Sequence, residues 1–207
     1  MLAGGALAAV QMVLFVSIAG ALRPGYDPDR NWISQLSLGP GGWQSTVNLA
    51  TCGLWLILCA GGLRGPTGNT KWTVRLVVWC GLCLVAIAVL PTDPGIGYPP
   101  GVPSVSTPTG AAHQLVGLSM GGAGIAAAVL LGRCLDAPRT GVVVAVVMAV
   151  SFVSGSVLVL LDAGGVLPGA PSGLLERVAL FTGLGWIGAA SMSLLVRSAR
   201  PSGSCGR

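Results

Sequence analysis

A polar run between two apolar stretches, Arg23 to Gly42 (RPGYDPDRNWISQLSLGPGG), holds the side chains with the clearest chemical potential. At helical spacing Arg30, Ser34 and Ser37 fall on one arc and Trp32, Ile33 and Leu36 on another. The polar arc is a compact set of donors suited to a phosphate or carboxylate. Tyr26 adds a phenolic hydroxyl beside it, in a position where an aromatic ring also serves as an interfacial anchor. Further along, Asp93 follows the third apolar stretch, His113 (the single histidine) lies near the start of the fourth, Asp162 closes the fifth, and Glu176-Arg177 opens the sixth. Asp93 or Glu176 as general acid, His113 as base or orienting group, and Arg30 with Arg177 around an anionic head group would make an acid–base site. A helix N-terminus disfavours imidazolium, so His113 reads as neutral and able to donate or accept a proton.

Each of these residues also has a plain structural reading. Asp27 suits a helix cap, Pro28 the first helical position, Asp29 and Arg30 the first turn, and Gly39 the end, which predicts a short amphipathic helix lying on the membrane surface with its apolar side down. Asp93 can start a turn, His113 can be a structural hydrogen-bond donor, and Glu176 in a first helical turn is favourable on dipole grounds alone. Arg177 opposes that dipole, so it is expected to pair with Asp93 or Asp162.

The elements that must hold these groups are six apolar stretches, at about 2–22, 43–63, 72–90, 111–131, 140–161 and 174–195. Each is long enough to cross a hydrocarbon layer roughly 30 Å thick at about 1.5 Å per helical residue. With 53% hydrophobic and 8% charged residues, the 207-residue chain reads as one all-α, six-helix transmembrane domain, 1–207. The first stretch has no positive residues before it, which argues against a cleaved signal peptide.

Eight of the eleven basic residues (Arg64, Lys71, Arg75, Arg133, Arg139, Arg197, Arg200 and Arg207) fall on one side of the bundle, leaving Arg23, Arg30 and Arg177 on the other. By the positive-inside rule both termini are cytoplasmic, and the three longer connections, rich in Asp, Pro and Gly, lie outside. The second of these, PTDPGIGYPPGVPSVSTPTG, is expected to cover the bundle without regular structure. Loops longer than a connection needs tend to carry function, so the outer face is the expected working face.

Composition and spacing exclude several classes. The basic residues form no stripe with interleaved aromatics, so no nucleic-acid partner is expected despite the net charge of +5. One histidine rules out multi-histidine zinc chemistry, and there is neither a phosphate-binding Gly loop nor a nucleophile elbow. The outer carboxylates have no Mg²⁺ or Ca²⁺ ligand spacing, so no cofactor is expected and Mg²⁺ stands as a remote alternative. Six cysteines, at 52, 59, 80, 83, 134 and 205, form no disulfide framework, and the Cys80–Cys83 pair lies mid-span. Gly117 and Gly121, continued by Gly124 and Ala128, predict close helix packing in the fourth span, with Gly183, Gly185 and Gly188 serving likewise in the sixth.

Five short patterns taken together carry a resemblance: Tyr26-Asp27-Pro28-x-Arg30 with Ile33-Ser34-x-Leu36, Thr92-Asp93-Pro94, Gly110-x-x-His113, and Gly173-Leu174-Leu175-Glu176-Arg177. The chain resembles the bacterial six-helix membrane family catalogued as domain of unknown function number nine hundred ninety-eight. The resemblance implies the six-helix fold and singles out Arg30, Ser34, Asp93, His113 and Arg177, and it implies no established reaction. It also leads one to expect a Gln-like residue before Arg177, which makes Glu176 particular to this chain.

Three functions compete. The first is a multi-pass enzyme of the bacterial cytoplasmic membrane, with an outward-facing pocket for a lipid or isoprenoid and chemistry of the kind small membrane terpene cyclases perform, an analogy of architecture alone. The second is a transporter or lipid-binding protein, for which Gln11, Ser151 and Ser154 are the deep polar candidates. The third is a structural membrane subunit in which Arg30, Asp93 and Arg177 are an ion-pair network. A cavity ringed by Arg30, Asp93, His113 and Arg177 would favour the first, and pairing without a cavity the third.

Overall fold

The computed structural model describes residues 1–64 and 70–199, so Arg200, Cys205 and Arg207, counted above, lie outside the described residues. Among the described residues there are six α-helices: α1 (Ala3–Leu22), α2 (Gly42–Gly62), α3 (Lys71–Val89), α4 (Pro108–Cys134), α5 (Pro138–Ala163) and α6 (Ser172–Ala199). All six are long and apolar enough to cross a membrane. They follow the predicted stretches closely, and the last three run further because polar caps and small residues continue a helix past its apolar centre. The start of α4 shows how: Thr107 accepts a hydrogen bond from the Gly110 backbone N–H at 3.0 Å, with Pro108 in the first turn.

Each helix packs on the next in chain order and α6 returns to α1, closing a ring of six. Two adjacent helices meet where side chains are missing. Gly53 on α2 and Gly81 on α3 face each other so closely that a Cβ on either would sit 2.5 or 2.6 Å from the other's carbonyl oxygen. Without a hydrophobic drive between helices in lipid, such close approach is what association rests on. The outer surface of α5 exposes Val143, Val146, Val150, Val153 and Val157, a face for which the bilayer is the matching solvent.

Three sequence expectations are corrected. The small-residue stripe of α4 is a packing seam only in part: a Cβ on Gly121 would meet the Phe152 ring of α5 at 2.8 Å and one on Gly124 the end of Met148 at 3.2 Å, but one on Gly117 would meet nothing within 4 Å. The seam with α5 continues to Gly132 against Gly141, and in α6 Gly183 lies against Met148 and Gly188 against α1, while Gly185 faces open space. The helix in the first long loop is also not a surface amphipathic helix beginning at Pro28. It is a single 3₁₀ turn, Ile33–Ser37, whose Ile33, Ser34, Gln35 and Leu36 are all buried against α1, α2 and α6. Asp27 uses its Oδ1 to accept the Asp29 N–H at 3.0 Å in a local turn, and the chain reaches the 3₁₀ helix only after Asn31 and Trp32. Third, α6 begins at Ser172, which places Glu176 beyond the first turn where a dipole role would need it.

The second long loop docks on the first. Its Gly95–Tyr98 turn carries two backbone hydrogen bonds of 3.1 Å, and Tyr98 is buried edge-on against Tyr26, ring centroids 5.2 Å apart. Gln35 donates to Gly95 O at 2.8 Å and Asn31 to Ile96 O at 3.3 Å, tying the two long loops together. Deep in the bundle, Gln11 is fully engaged: it donates to Thr51 Oγ1 at 2.6 Å and Asn48 Oδ1 at 3.1 Å, and accepts from Trp55 Nε1 at 3.1 Å. Cys52, Cys59, Cys80, Cys83 and Cys134 are free thiols.

Candidate functional site

The loop-rich end of the bundle is held by the charges the sequence singles out. Arg30 makes two bonds of 2.6 Å to the carboxylate of Asp162 at the end of α5. Arg177 pairs with neither Asp93 nor Asp162, correcting the expectation. Its guanidinium donates to the carbonyls of Asn31 and Gly173 at 2.9 Å and to the Tyr26 hydroxyl. Two carbonyls and a hydroxyl take the place of a carboxylate partner, because the first loop turns the Asn31 carbonyl and the Tyr26 hydroxyl toward α6. The Tyr26 hydroxyl in turn donates to the Trp32 and Asn31 carbonyls at 2.9 and 3.1 Å. Burial pushes the Tyr26 hydroxyl well above its ordinary range, the nearby Arg177 only partly offsetting it, so it stays protonated.

Two further backbone contacts seat the loop on α6: Leu174 N–H donates to Asp29 O at 2.9 Å and Ser172 Oγ to Arg30 O at 3.0 Å. Gly173 lies under the loop so tightly that a Cβ would run into the Asn31 and Pro28 carbonyls. Asp93 plays a similar part for the second loop. Its carboxylate accepts the Thr107 N–H at 2.8 Å and the Thr107 Oγ–H at 2.7 Å, which fixes the residue that caps α4. Asp27 and Asp29 are exposed at the rim.

Below this layer lies a cavity of about 120 Å³ enclosed by the 3₁₀ turn and α2 to α6. Of the predicted site residues, the structure brings Ser34, His113 and Glu176 to its lining and leaves Tyr26, Arg30, Asp93, Asp162 and Arg177 off it. Arg30, Ser34 and Ser37 therefore do not act as one donor stripe. Arg30 turns to α5, Ser34 to the cavity, and Ser37 donates to Ser34 O at 2.6 Å.

The three cavity groups are poised in a defined way. Ile33 N–H donates to Glu176 Oε2 at 2.7 Å, and Oε1 has no partner among the described residues. His113 Nδ1 lies 2.8 Å from the Leu90 carbonyl, which can only accept, so Nδ1 carries the hydrogen and Nε2 is left without a protein partner among the described residues. Ser34, only 7% exposed, has no acceptor or donor for its hydroxyl among the described residues. Most of the remaining lining is apolar, including Leu49, Leu56, Leu84, Ile87, Met148 and Phe152, with glycines such as Gly117 and Gly121 leaving room, and Gln114 and Ser156 add two polar side chains, the Ser156 hydroxyl donating to Phe152 O at 2.8 Å.

Sequence reasoning missed Gln114, Trp32 and these glycines as lining. A signal was present. His113, Gly117 and Gly121 recur at every fourth residue and so share one helical face, which makes the glycines an extension of the histidine's surroundings. Trp32 also lines the cavity, and its indole N–H is buried with no acceptor among the described residues.

Among the described residues no group of three or more His, Cys, Asp or Glu is placed to hold a metal ion. Six apolar helices around a partly polar cavity define a multi-pass membrane protein. The chain belongs to the family described as protein of unknown function (DUF998), whose model matches residues 6–193. No curated protein and no solved structure matches it.

Proposed function

We propose that this protein is a membrane enzyme that holds a lipid or isoprenoid chain in the cavity and performs acid–base chemistry at the polar end. The observation that carries the reading is that Glu176, His113 and Ser34, each with a polar atom that has no partner among the described residues, line the loop-rich end of one mostly apolar cavity. Three accessible polar atoms left open around one cavity are what a bound head group would complete. Glu176 and His113 are the acid–base pair, and Ser34 orients the reacting group. Asp93, Arg30, Asp162 and Arg177 support the site by fixing the loops that roof it.

The distribution of charge supports an outward-facing cavity in a bacterial cytoplasmic membrane with both termini inside. Arg64, Lys71, Arg75, Arg133, Arg139 and Arg197 sit at the short-loop end, and Arg23, Arg30 and Arg177 at the other. A transport reading gains nothing from Gln11, which is satisfied within α1 and α2 and is not part of the lining.

The test compares lipid and terpenoid extracts from host cells producing the wild-type protein, Glu176→Gln, His113→Gln and Ser34→Ala at matched protein levels. Asp93→Ala serves as the variant that loosens a helix cap without touching the cavity. Loss of a product in the three cavity variants is expected. Unchanged extracts in all three would remove the enzyme reading.

A further inference from the structure

We infer that the head group taken by this cavity is an uncharged hydroxyl, and that anionic heads are rejected; the inference rests on the cavity being a binding site for a hydrocarbon chain. The reason is where the cations went. At the loop-rich end among the described residues, Arg23 is spent on the Pro40, Leu36 and Gly41 carbonyls. Arg30 is spent on Asp162, and Arg177 on Asn31, Gly173 and Tyr26. None of the three lines the cavity, so the one formally charged residue that does is Glu176.

A carboxylate, phosphate or diphosphate head would meet that carboxyl group in a mostly apolar cavity whose nearest cation, Arg177, lies off the lining with its guanidinium donors already committed, which opposes the head both by repulsion and by desolvation. A protonated amine would give up its hydration for one carboxylate that already accepts the Ile33 N–H. A hydroxyl loses least on transfer and matches what is offered. It donates to the free Glu176 oxygen or to His113 Nε2, and it accepts from the Ser34 hydroxyl or the Gln114 amide.

The shape of the cavity agrees with a chain behind such a head. Its α4 lining runs from His113 to Ala128, about 22 Å of helix rise at about 1.5 Å per residue. Gln114 and Leu118 both line it and are exposed at the surface, so the cavity reaches the outside along α4 near its polar end. A long-chain alcohol lying in the bilayer with its hydroxyl near the interface has a direct way in from the side.

The experiment uses the full-length protein in phosphatidylcholine nanodiscs, with empty nanodiscs as the partitioning blank. Farnesol, farnesylamine, farnesoic acid and farnesyl phosphate share one chain and differ in the head. Binding is read from tryptophan fluorescence, since Trp32 and Trp186 line the cavity. Farnesol is expected to bind at least about tenfold more tightly than the acid or the phosphate. Glu176→Gln, which keeps an acceptor for the Ile33 N–H, should shrink that margin. Gly117→Leu, whose added atoms project into open space, should abolish binding while the protein still folds. If the acid, phosphate or amine binds as tightly as the alcohol, or Glu176→Gln leaves the margin intact, the head-group inference is overturned and the cavity reading stands. If no probe binds, or Gly117→Leu changes nothing, the cavity reading itself fails.

Discussion

Glu176 accepts the backbone N–H of Ile33 at 2.7 Å with one carboxylate oxygen, and the same residue lines the cavity. Its side chain therefore holds the start of the 3₁₀ turn that carries Ser34, which lines the cavity beside it. Roof and site are coupled through one residue. Replacing Glu176 by Ala leaves the Ile33 donor unsatisfied at a cost of about 1–3 kcal/mol, whereas Gln keeps an acceptor there. Limited proteolysis of the 23–42 loop should accelerate in Glu176→Ala and stay near wild type in Glu176→Gln. Equal cleavage of both variants would show that the loop is held by its other contacts.

Arg30 and Asp162 join the first loop to the end of α5, with the arginine side chain 32% exposed and the aspartate 1% exposed. Removing the arginine strands a buried carboxylate, so Arg30→Ala should cost about 2–3 kcal/mol. The double variant Arg30→Ala with Asp162→Asn should recover part of that loss, because the orphaned charge is gone. Thermal melting in detergent reads both, and strictly additive losses would contradict a direct pair.

Tyr26 links the fold to alkaline pH. Its hydroxyl has a folded-state pKa raised above the ordinary 10.0 by burial. Above about pH 10 the unfolded chain releases this proton while the folded one keeps it, so stability is complete below that pH and is lost as pH rises beyond it. The wild-type melting temperature should fall more steeply between about pH 10 and 11 than that of Tyr26→Phe. At neutral pH the Phe variant should be less stable by about 1–3 kcal/mol, since Arg177 and two carbonyls lose a partner.

Glycines that look alike in the chain should respond oppositely to alanine. At Gly53 the new methyl would press on the Gly81 carbonyl, which is backbone and cannot move aside, and a loss of about 1–3 kcal/mol is expected. At Gly117 the methyl meets nothing, and the gain in helix propensity should leave stability equal or higher by up to about 1 kcal/mol. Paired melting curves decide the matter, and a destabilised Gly117→Ala would mean that the α4 face is packed and not open.

Much of the architecture was readable in advance because bilayer crossing depends on local composition alone. A span such as Lys71–Val89 declares itself by length and apolarity whatever its neighbours do. The Thr107-Pro108 start of α4 is local in the same sense, a cap being a matter of adjacent residues. The partners of Arg177 were not, since a charge-by-charge pairing argument cannot see a backbone that folds back with its carbonyls exposed. The amphipathic reading of the first loop failed likewise: a helical wheel sorts side chains by angle and says nothing of whether the whole turn is sunk into the bundle.

From residues alone follow six helices long and apolar enough to cross a membrane, membership of the DUF998 family, and the short list of polar groups able to do chemistry. Which of them share a space was decided by tertiary contacts between residues more than a hundred positions apart. Arg30 found Asp162, and Ile33 found Glu176. Pairing and cavity shape depend on where distant helices come to rest, and in a chain with so few charges each partnership removes a candidate from the site and defines what is left in it.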